Sequence, residues 1–252
     1  MSAPLMEVRG LSKAFGKVVT AREISLSFQA GEITSIIGPN GAGKSTFINM
    51  MSGSLPVDGG TIHFRGLDIT RLPIHRRVEM GLCRSFQVVN VFPMLTVFEN
   101  VEIPVLVAAG RGARFFRPRA GEEKARAEVL DVLTRVGLAS RADLLANELS
   151  HGDQRLLEVA IALASRPKLL FLDEPTAGMN PVERVEILSH IRRISQEGTT
   201  TFIIVEHDMD IVFSLSDRVV VLHRGDVICD GPPDKVRCDE KVRECYLGEE
   251  VL

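Results

Sequence analysis

The chain has 252 residues and a formal net charge of −3, from 30 basic and 33 acidic side chains. That near balance argues against general attraction to nucleic acid or acidic lipid, and with no Trp and one Tyr the chain lacks an aromatic platform for stacking bases. No stretch approaches the apolar run of about 20 residues that crosses a bilayer; residues 101–109 come nearest and are interrupted by Glu102 and Pro104.

Any membrane-spanning part is therefore expected on other chains, and residues 1–10 lack the basic-then-apolar order of a secretory signal. Four cysteines (Cys83, Cys229, Cys238, Cys245) form no Cys-x-x-Cys pair and no metal spacing with the six histidines, which reads as reduced thiols in a cytoplasmic protein.

In chain order, Ile24, Leu26 and Phe28 alternate with Ser25 and Ser27, the pattern of a half-buried strand, and the first segment reads as antiparallel strands. A turn near Gly31 leads into the apolar run Ile33–Ile37, and another strand is expected from Thr61 to Arg65 after Asp58-Gly59-Gly60. From Glu122 to Val136, Ala125, Val129, Leu133 and Val136 fall at helical spacing, and Leu156, Leu157, Ala160, Ile161 and Ala164 repeat it after Ser150. Three β-rich runs follow Pro167 (Leu169–Leu172, Thr201–Val205, Val219–Leu222), separated by helical stretches at Val182–Gln196 and Met209–Ser214. Buried strands alternating with helices predict a parallel sheet covered on both faces. The expected architecture is α/β: a nucleotide-binding core from 1–88 and 160–252, with an antiparallel β region at its start and a helical subdomain, 89–159, inserted in it. The stretch Ala109–Gly121, with four arginines beside Phe115 and Phe116, reads either as a solvated loop or as a contact to a membrane partner or lipid head groups.

Gly38-Pro39-Asn40-Gly41-Ala42-Gly43-Lys44-Ser45 fits the phosphate-loop pattern G-x-x-x-x-G-K-[ST] without a mismatch, between an apolar strand and a helix that runs on through Thr46. Glycines let backbone N–H groups converge on phosphates where side chains would block them. Lys44 suits the β- and γ-phosphates of ATP, Ser45 offers a hydroxyl to Mg²⁺, and the positive end of the following helix faces the same anion. Such a loop needs a metal-side carboxylate on a neighbouring strand, and Leu169–Leu172 ends in Asp173 and Glu174. Asp173 is expected to hold Mg²⁺, and Glu174 to orient or deprotonate the attacking water.

Between these motifs stands Leu149-Ser150-His151-Gly152-Asp153-Gln154, which resembles the signature segment of ABC ATPases. The resemblance implies a P-loop NTPase (RecA-like) core, hydrolysis of ATP, and Ser150 and the Gly152 backbone touching the nucleotide of a second ATPase subunit, either the same chain or a paralogue. His151 and Asp153 depart from the common form; Gln154 is expected to take the glutamine's place, with Asp153 turned away. By the same resemblance Gln87, after Phe86, would touch Mg²⁺ or the lytic water and sense the membrane partner. His207 would contact the γ-phosphate, and the loop 177–181, with Asn180 where Asp is usual, would meet the second subunit. Phe15 would stack on adenine, although as an isolated Phe it equally suits a core.

Arg84–Gln87, Phe92–Asn100, Val205–Met209 and Tyr246–Glu249 resemble the ATP-binding subunits of branched-chain amino-acid importers. That implies transmembrane permease subunits and a periplasmic-type solute-binding protein as partners, no nucleic acid, and a peripheral position on the cytoplasmic face of the inner membrane. Export of lipid or lipopolysaccharide, a soluble non-transport ABC ATPase and an ATP-holding regulatory module are the competing readings; a single cassette, Glu174 and His207 weigh against the last two.

Overall fold

The computed structural model describes residues 3–85, 91–109 and 119–247, with the side chains of 119–122, 246 and 247 excepted. In chain order the elements are β1 (Met6–Phe15), β2 (Val18–Phe28), β3 (Ile33–Ile37), α1 (Lys44–Ser52), β4 (Gly59–Phe64), β5 (Leu67–Asp68), α2 (Ile74–Glu79) and β6 (Leu82–Arg84). Helices α3 (Val97–Ala108), α4 (Arg119–Arg135) and α5 (His151–Ala164) follow. The chain then alternates through β7 (Leu169–Asp173), α6 (Pro181–Gln196), β8 (Thr201–Val205), α7 (Met209–Leu215) and β9 (Arg218–His223), and ends in β10 (Asp226–Gly231), α8 (Pro233–Cys238) and α9 (Glu240–Leu247).

Two sheets organise the molecule. The smaller has the order β2-β1-β4-β5 and is antiparallel, and it begins well before the alternation at Ile24 that marked it in the sequence. Its apolar alternates Met6, Val8, Leu11, Leu26, Phe28, Ile62 and Phe64 face α1, whose Phe47, Ile48, Met50 and Met51 are buried between the two sheets. The larger sheet has the order β10-β9-β3-β8-β7-β6, parallel from β9 to β6 with β10 antiparallel at the edge. Every residue of β3, β7 and β8 is buried, so this sheet is stable only with both faces covered.

The second face is covered by α3, α4, α5 and α6. Val97, Val101 and Val105 of α3, Val129 and Leu133 of α4, and Leu156, Leu157 and Ala160 of α5 share one core with Ile33, Leu170, Leu172, Phe202 and Ile204 of the sheet. The expected subdomain boundary between 159 and 160 falls inside α5, because that helix packs on the sheet along its length. The boundary at 88, like Gln87 and residues 110–118 of the arginine-rich stretch, lies outside the described residues. Residues 101–108, the nearest candidate for a membrane run, lie in α3, which starts with a capping box between Thr96 and Glu99 and keeps Pro104 within it. Among the described residues no helix is long and apolar enough to cross a membrane.

Three further details complete the fold. Residues 229–231 belong to β10 of the main sheet, and Cys229, Val236 and Val242 pack under it with Val212, Val219 and Val221. β6 runs from Leu82 to Arg84, beside β7. Strand β8 stands between β3 and β7, so the phosphate-loop strand and the acidic strand are not immediate neighbours. All four cysteines are free thiols, and burial pushes that of Cys83 up to about 11.

Candidate functional site

The strand order brings the carboxyl ends of β3, β8 and β7 side by side, the edge at which open α/β sheets bind ligands. Beyond β3 the chain turns through two positions that only glycine fits. Gly38 has φ 151° and a Cβ there would lie 2.1 Å from the Leu222 carbonyl oxygen; at Gly43, φ 102°, it would lie 2.2 Å from that of Thr20. Gly43 is also the N-cap of α1 and supplies no side chain to it, which leaves the first helical N–H groups for an anion. Lys44 is buried, and its Nζ donates to the carbonyls of Gly38 at 2.6 Å and Pro39 at 3.0 Å, placing the ammonium inside the loop.

Asn40, Gly41, Ala42, Gly43, Lys44, Ser45 and Thr46 line a cleft of about 240 Å³, and the opposite wall is Thr20, Glu174, Val205 and His207. The fold thus places the loop, the expected base and the expected switch histidine in one cleft, although they lie up to 169 residues apart, as between Gly38 and His207. A wider groove of about 960 Å³ lies elsewhere, between the segment leading into β4, the segment that follows β5 and Arg77, away from the phosphate loop.

Asp173 ends β7, and Glu174 follows in the left-handed region at φ 47°, its N–H donating to the Val205 carbonyl at 2.9 Å. His207 Nε2 stands 2.6 Å from Glu174 Oε1, the distance of a charge-assisted hydrogen bond from the ring N–H to the carboxylate. Three residues to which the sequence assigned no role support this site, two of them by holding the acids and one by anchoring His207. Arg155 of α5 donates through Nη2 to the backbone carbonyls of Asp173 at 2.7 Å and Glu174 at 3.1 Å, while its Nη1 meets Glu158 Oε2 at 2.6 Å. Arg84 donates to Asp173 Oδ2 at 2.8 Å and also reaches Asn49 of α1. Buried Glu206 accepts from the Thr176 hydroxyl at 2.7 Å, the Thr176 N–H at 3.2 Å and the His207 N–H at 3.2 Å. Burial pushes the Glu206 carboxyl above its ordinary range, against the pull of those hydrogen bonds, and the nearby Glu174 charge adds to the rise.

Glu206→Ala is expected to leave the Thr176 donors unpartnered in the interior and to cost about 1–3 kcal/mol of stability, read as a lowered urea midpoint, with ATP turnover falling as His207 loses its anchor. A sequence signal existed for Glu206 and Arg155, which adjoin His207 and Gln154. Arg84 stood in the stretch Arg84–Gln87 without a role of its own, and no signal existed for Thr20, which only the packing brings to the site.

The donor set suits Mg²⁺ in kind: the Ser45 hydroxyl and the Asp173 carboxylate are hard oxygen ligands, and Mg²⁺ is usually held by one or two carboxylates together with substrate phosphates. Among the described residues no cluster of three or more His, Cys, Asp or Glu forms a cage of its own. Gln87, the third expected ligand, lies outside the described residues.

The signature residues are elsewhere. Ser150 is the N-cap of α5, and with Gly152 it lines a separate pocket of about 180 Å³ together with Arg141, Asp153, Leu156, Glu183 and Glu186. Gly152 packs under the Glu183 side chain, whose Cδ would lie 3.0 Å from a Cβ placed there. The expected exchange of roles between Asp153 and Gln154 is not what the fold produces. Gln154 turns back to donate to the carbonyls of Ala146 at 3.2 Å and Leu149 at 3.4 Å, whereas Asp153 accepts from the Ser150 hydroxyl at 2.9 Å and from Arg141. As N-cap, Ser150 draws the third residue of the helix beneath it, and that residue is Asp153.

Asn180 has a local purpose of its own. Its Oδ1 accepts from the N–H groups of Val182 at 2.9 Å and Glu183 at 3.1 Å, capping α6 with Pro181 in the first helical turn. Phe15 is 51% exposed beside the β1–β2 hairpin, with Lys13 Nζ 5.6 Å from its ring centre, so it is not core; the same hairpin sends Thr20 into the phosphate cleft.

Comparison with known proteins agrees with this geometry. A protein-family profile described as "ABC transporter" matches residues 21–177, and one described as "Branched-chain amino acid ATP-binding cassette transporter" matches residues 227–251. The high-affinity branched-chain amino acid transport ATP-binding protein LivG of Salmonella typhimurium is 38% identical over 255 residues, covering 99% of this chain and all of that one. BraF of Pseudomonas aeruginosa, with the same description, is 37% identical over 258 residues at equal coverage. A crystal structure of the ADP conformation of an ABC-transporter ATP-binding cassette superposes with a TM-score of 0.85 at 31% identity, covering 98% of this chain and all of the other. Phosphate loop, acid pair, signature and relatives coincide along the whole length, and the chain belongs to the ABC transporter family of ATP-binding proteins.

Proposed function

We propose that this chain is the ATP-hydrolysing subunit of an importer for branched-chain amino acids or a similar small solute. The observation that carries the reading is the placement of Lys44, Glu174 and His207 around one cleft while Ser150 lines another pocket of the same chain. A phosphate site with its base but without its signature is half a site, and a second ATPase subunit, identical or paralogous, completes it.

In that dimer Lys44 and the glycine-loop N–H groups bind the β- and γ-phosphates, and Phe15 stacks on the adenine. Ser45 and Asp173, with Gln87, hold Mg²⁺, which supplies neutralisation of the phosphate charge. Glu174 accepts the proton of the attacking water, and His207, steered by Glu206, holds Glu174 and meets the γ-phosphate. Ser150 and the Gly152 N–H of the second subunit close over the same phosphate. Hydrolysis removes that bridge, and α3–α5, which share their core with the sheet, carry the opening to permease subunits. Permeases, the second ATPase and a periplasmic-type solute-binding protein make up the assembly, with this chain peripheral on the cytoplasmic face of the membrane.

The test is an affinity pull-down of the Glu174→Gln form with MgATP from detergent-solubilised native membranes, with co-purifying chains identified by mass. Two permeases, a related ATPase and a solute receptor are expected, and the receptor binds a branched-chain amino acid. Recovery of a lipid-export assembly or of ribosomes overturns the importer reading.

A further inference from the structure

Ser150 presents the hydroxyl that the dimer needs, and the proton of that hydroxyl is already committed. Its Oγ donates to Asp153 Oδ2 at 2.9 Å while accepting from the Asp153 N–H at 3.1 Å. The Asp153 side chain, 14% exposed, stands against the group that is to meet a γ-phosphate. Glu183 and Glu186 line the same pocket. Three carboxylates around a phosphate-binding hydroxyl would repel the nucleotide, and more strongly as a closing interface excludes water.

Arg141 is the one cationic side chain among the residues that line this pocket. It reaches in from the short 3-10 turn Ala139–Arg141, outside the signature motif, and pairs with Asp153 Oδ1, the oxygen that Ser150 does not use. Its own side chain is 43% exposed, so the pair lies at the mouth of the pocket, where an incoming phosphate meets it.

We propose that Arg141 is a positioning residue of the signature: it holds and neutralises Asp153, so that Ser150 can turn its hydroxyl to the γ-phosphate of ATP bound by the second subunit. The inference rests on the dimer reading above. It also explains how an acid is tolerated within the signature: the charge it brings is cancelled by a guanidinium supplied from twelve residues upstream.

The test uses full-length chain in the Glu174→Gln background and follows MgATP-driven dimerisation by light scattering against ATP concentration at low salt. Arg141→Ala is expected to raise the half-maximal ATP concentration about fivefold, the equivalent of one part-exposed unpaired charge beside the phosphate. Arg141→Lys is expected to retain most of the parental affinity. Adding Asp153→Asn to Arg141→Ala is expected to return the value to within about twofold of the parent, because the repelling charge is gone. A purely structural role for Arg141 would not be rescued in that way. Should Arg141→Ala fail to fold, Arg141→Gln carries the same expectation. Parental dimerisation by Arg141→Ala, or no rescue by Asp153→Asn, overturns the inference while leaving the dimer intact. A Glu174→Gln parent that stays monomeric in saturating MgATP overturns the dimer reading and the inference with it.

Discussion

Glu174→Gln is expected to lower steady-state ATP turnover by a hundredfold or more, on the order of what a positioned general base contributes, while leaving MgATP binding intact. The cause is specific to where this carboxylate sits. Its backbone is held in the left-handed region by the Val205 carbonyl on one side and by Arg155 on the other, so the side chain projects into the phosphate cleft beside His207. Gln keeps that shape and accepts the His207 N–H through its amide oxygen, but it cannot take a proton from water. The closed, ATP-bound dimer should therefore accumulate, seen as a doubling of mass in MgATP by light scattering, together with loss of phosphate release. Parental turnover in this variant would remove Glu174 from the role of base.

Lys44→Ala is expected to weaken MgATP binding by roughly 100-fold, from the loss of about 2–3 kcal/mol of charge-assisted hydrogen bonding to the phosphates. Lys44 is the one ammonium lining the cleft, and its Nζ already sits within hydrogen-bond reach of the loop carbonyls that frame it. Removing it takes away both the phosphate contact and the bonds to Gly38 and Pro39, so some loss of stability is expected as well. Fluorescent-nucleotide titration separates the two effects when read beside a thermal melt. The Glu174 and Lys44 variants differ in kind: the first binds and does not turn over, the second binds weakly. Unchanged nucleotide affinity in Lys44→Ala would mean that phosphates bind elsewhere, and the cleft would lose its assignment.

The phosphate loop and the acid pair were legible in the sequence because each is a local requirement, whereas the signature and His207 were identified by their resemblance to ABC ATPases. The turns of the loop demand glycine at 38 and 43, where a Cβ would meet the Leu222 and Thr20 carbonyls, and a metal-side carboxylate demands an acid at a strand end. Those demands are met by neighbouring residues, so they leave a pattern a few residues long. The buried strands β3, β7 and β8 were legible for the same reason, since a strand covered on both faces must be apolar throughout.

Other features belong to the three-dimensional arrangement alone. That β8 stands between β3 and β7, that α5 spans the expected subdomain boundary, and that residues 229–231 form an edge strand all follow from which apolar faces cover one another, a long-range choice with no short pattern. The supporting shell is of this kind too. Arg84 reaches Asp173, Arg155 reaches the Glu174 carbonyl and Arg141 reaches Asp153 across 89, 19 and 12 residues. The expectation about Asp153 and Gln154 failed on a local ground instead: the N-cap at Ser150 takes the third residue of its helix, Asp153, and Gln154 turns to the Ala146 and Leu149 carbonyls. By itself, then, the sequence determined which loop and which acids are the candidates for a phosphate site, since each belongs to a motif a few residues long. The tertiary structure alone decided how the acids are held and that the signature lies apart from the loop it is to complete, because charge pairing and burial depend on neighbours in space.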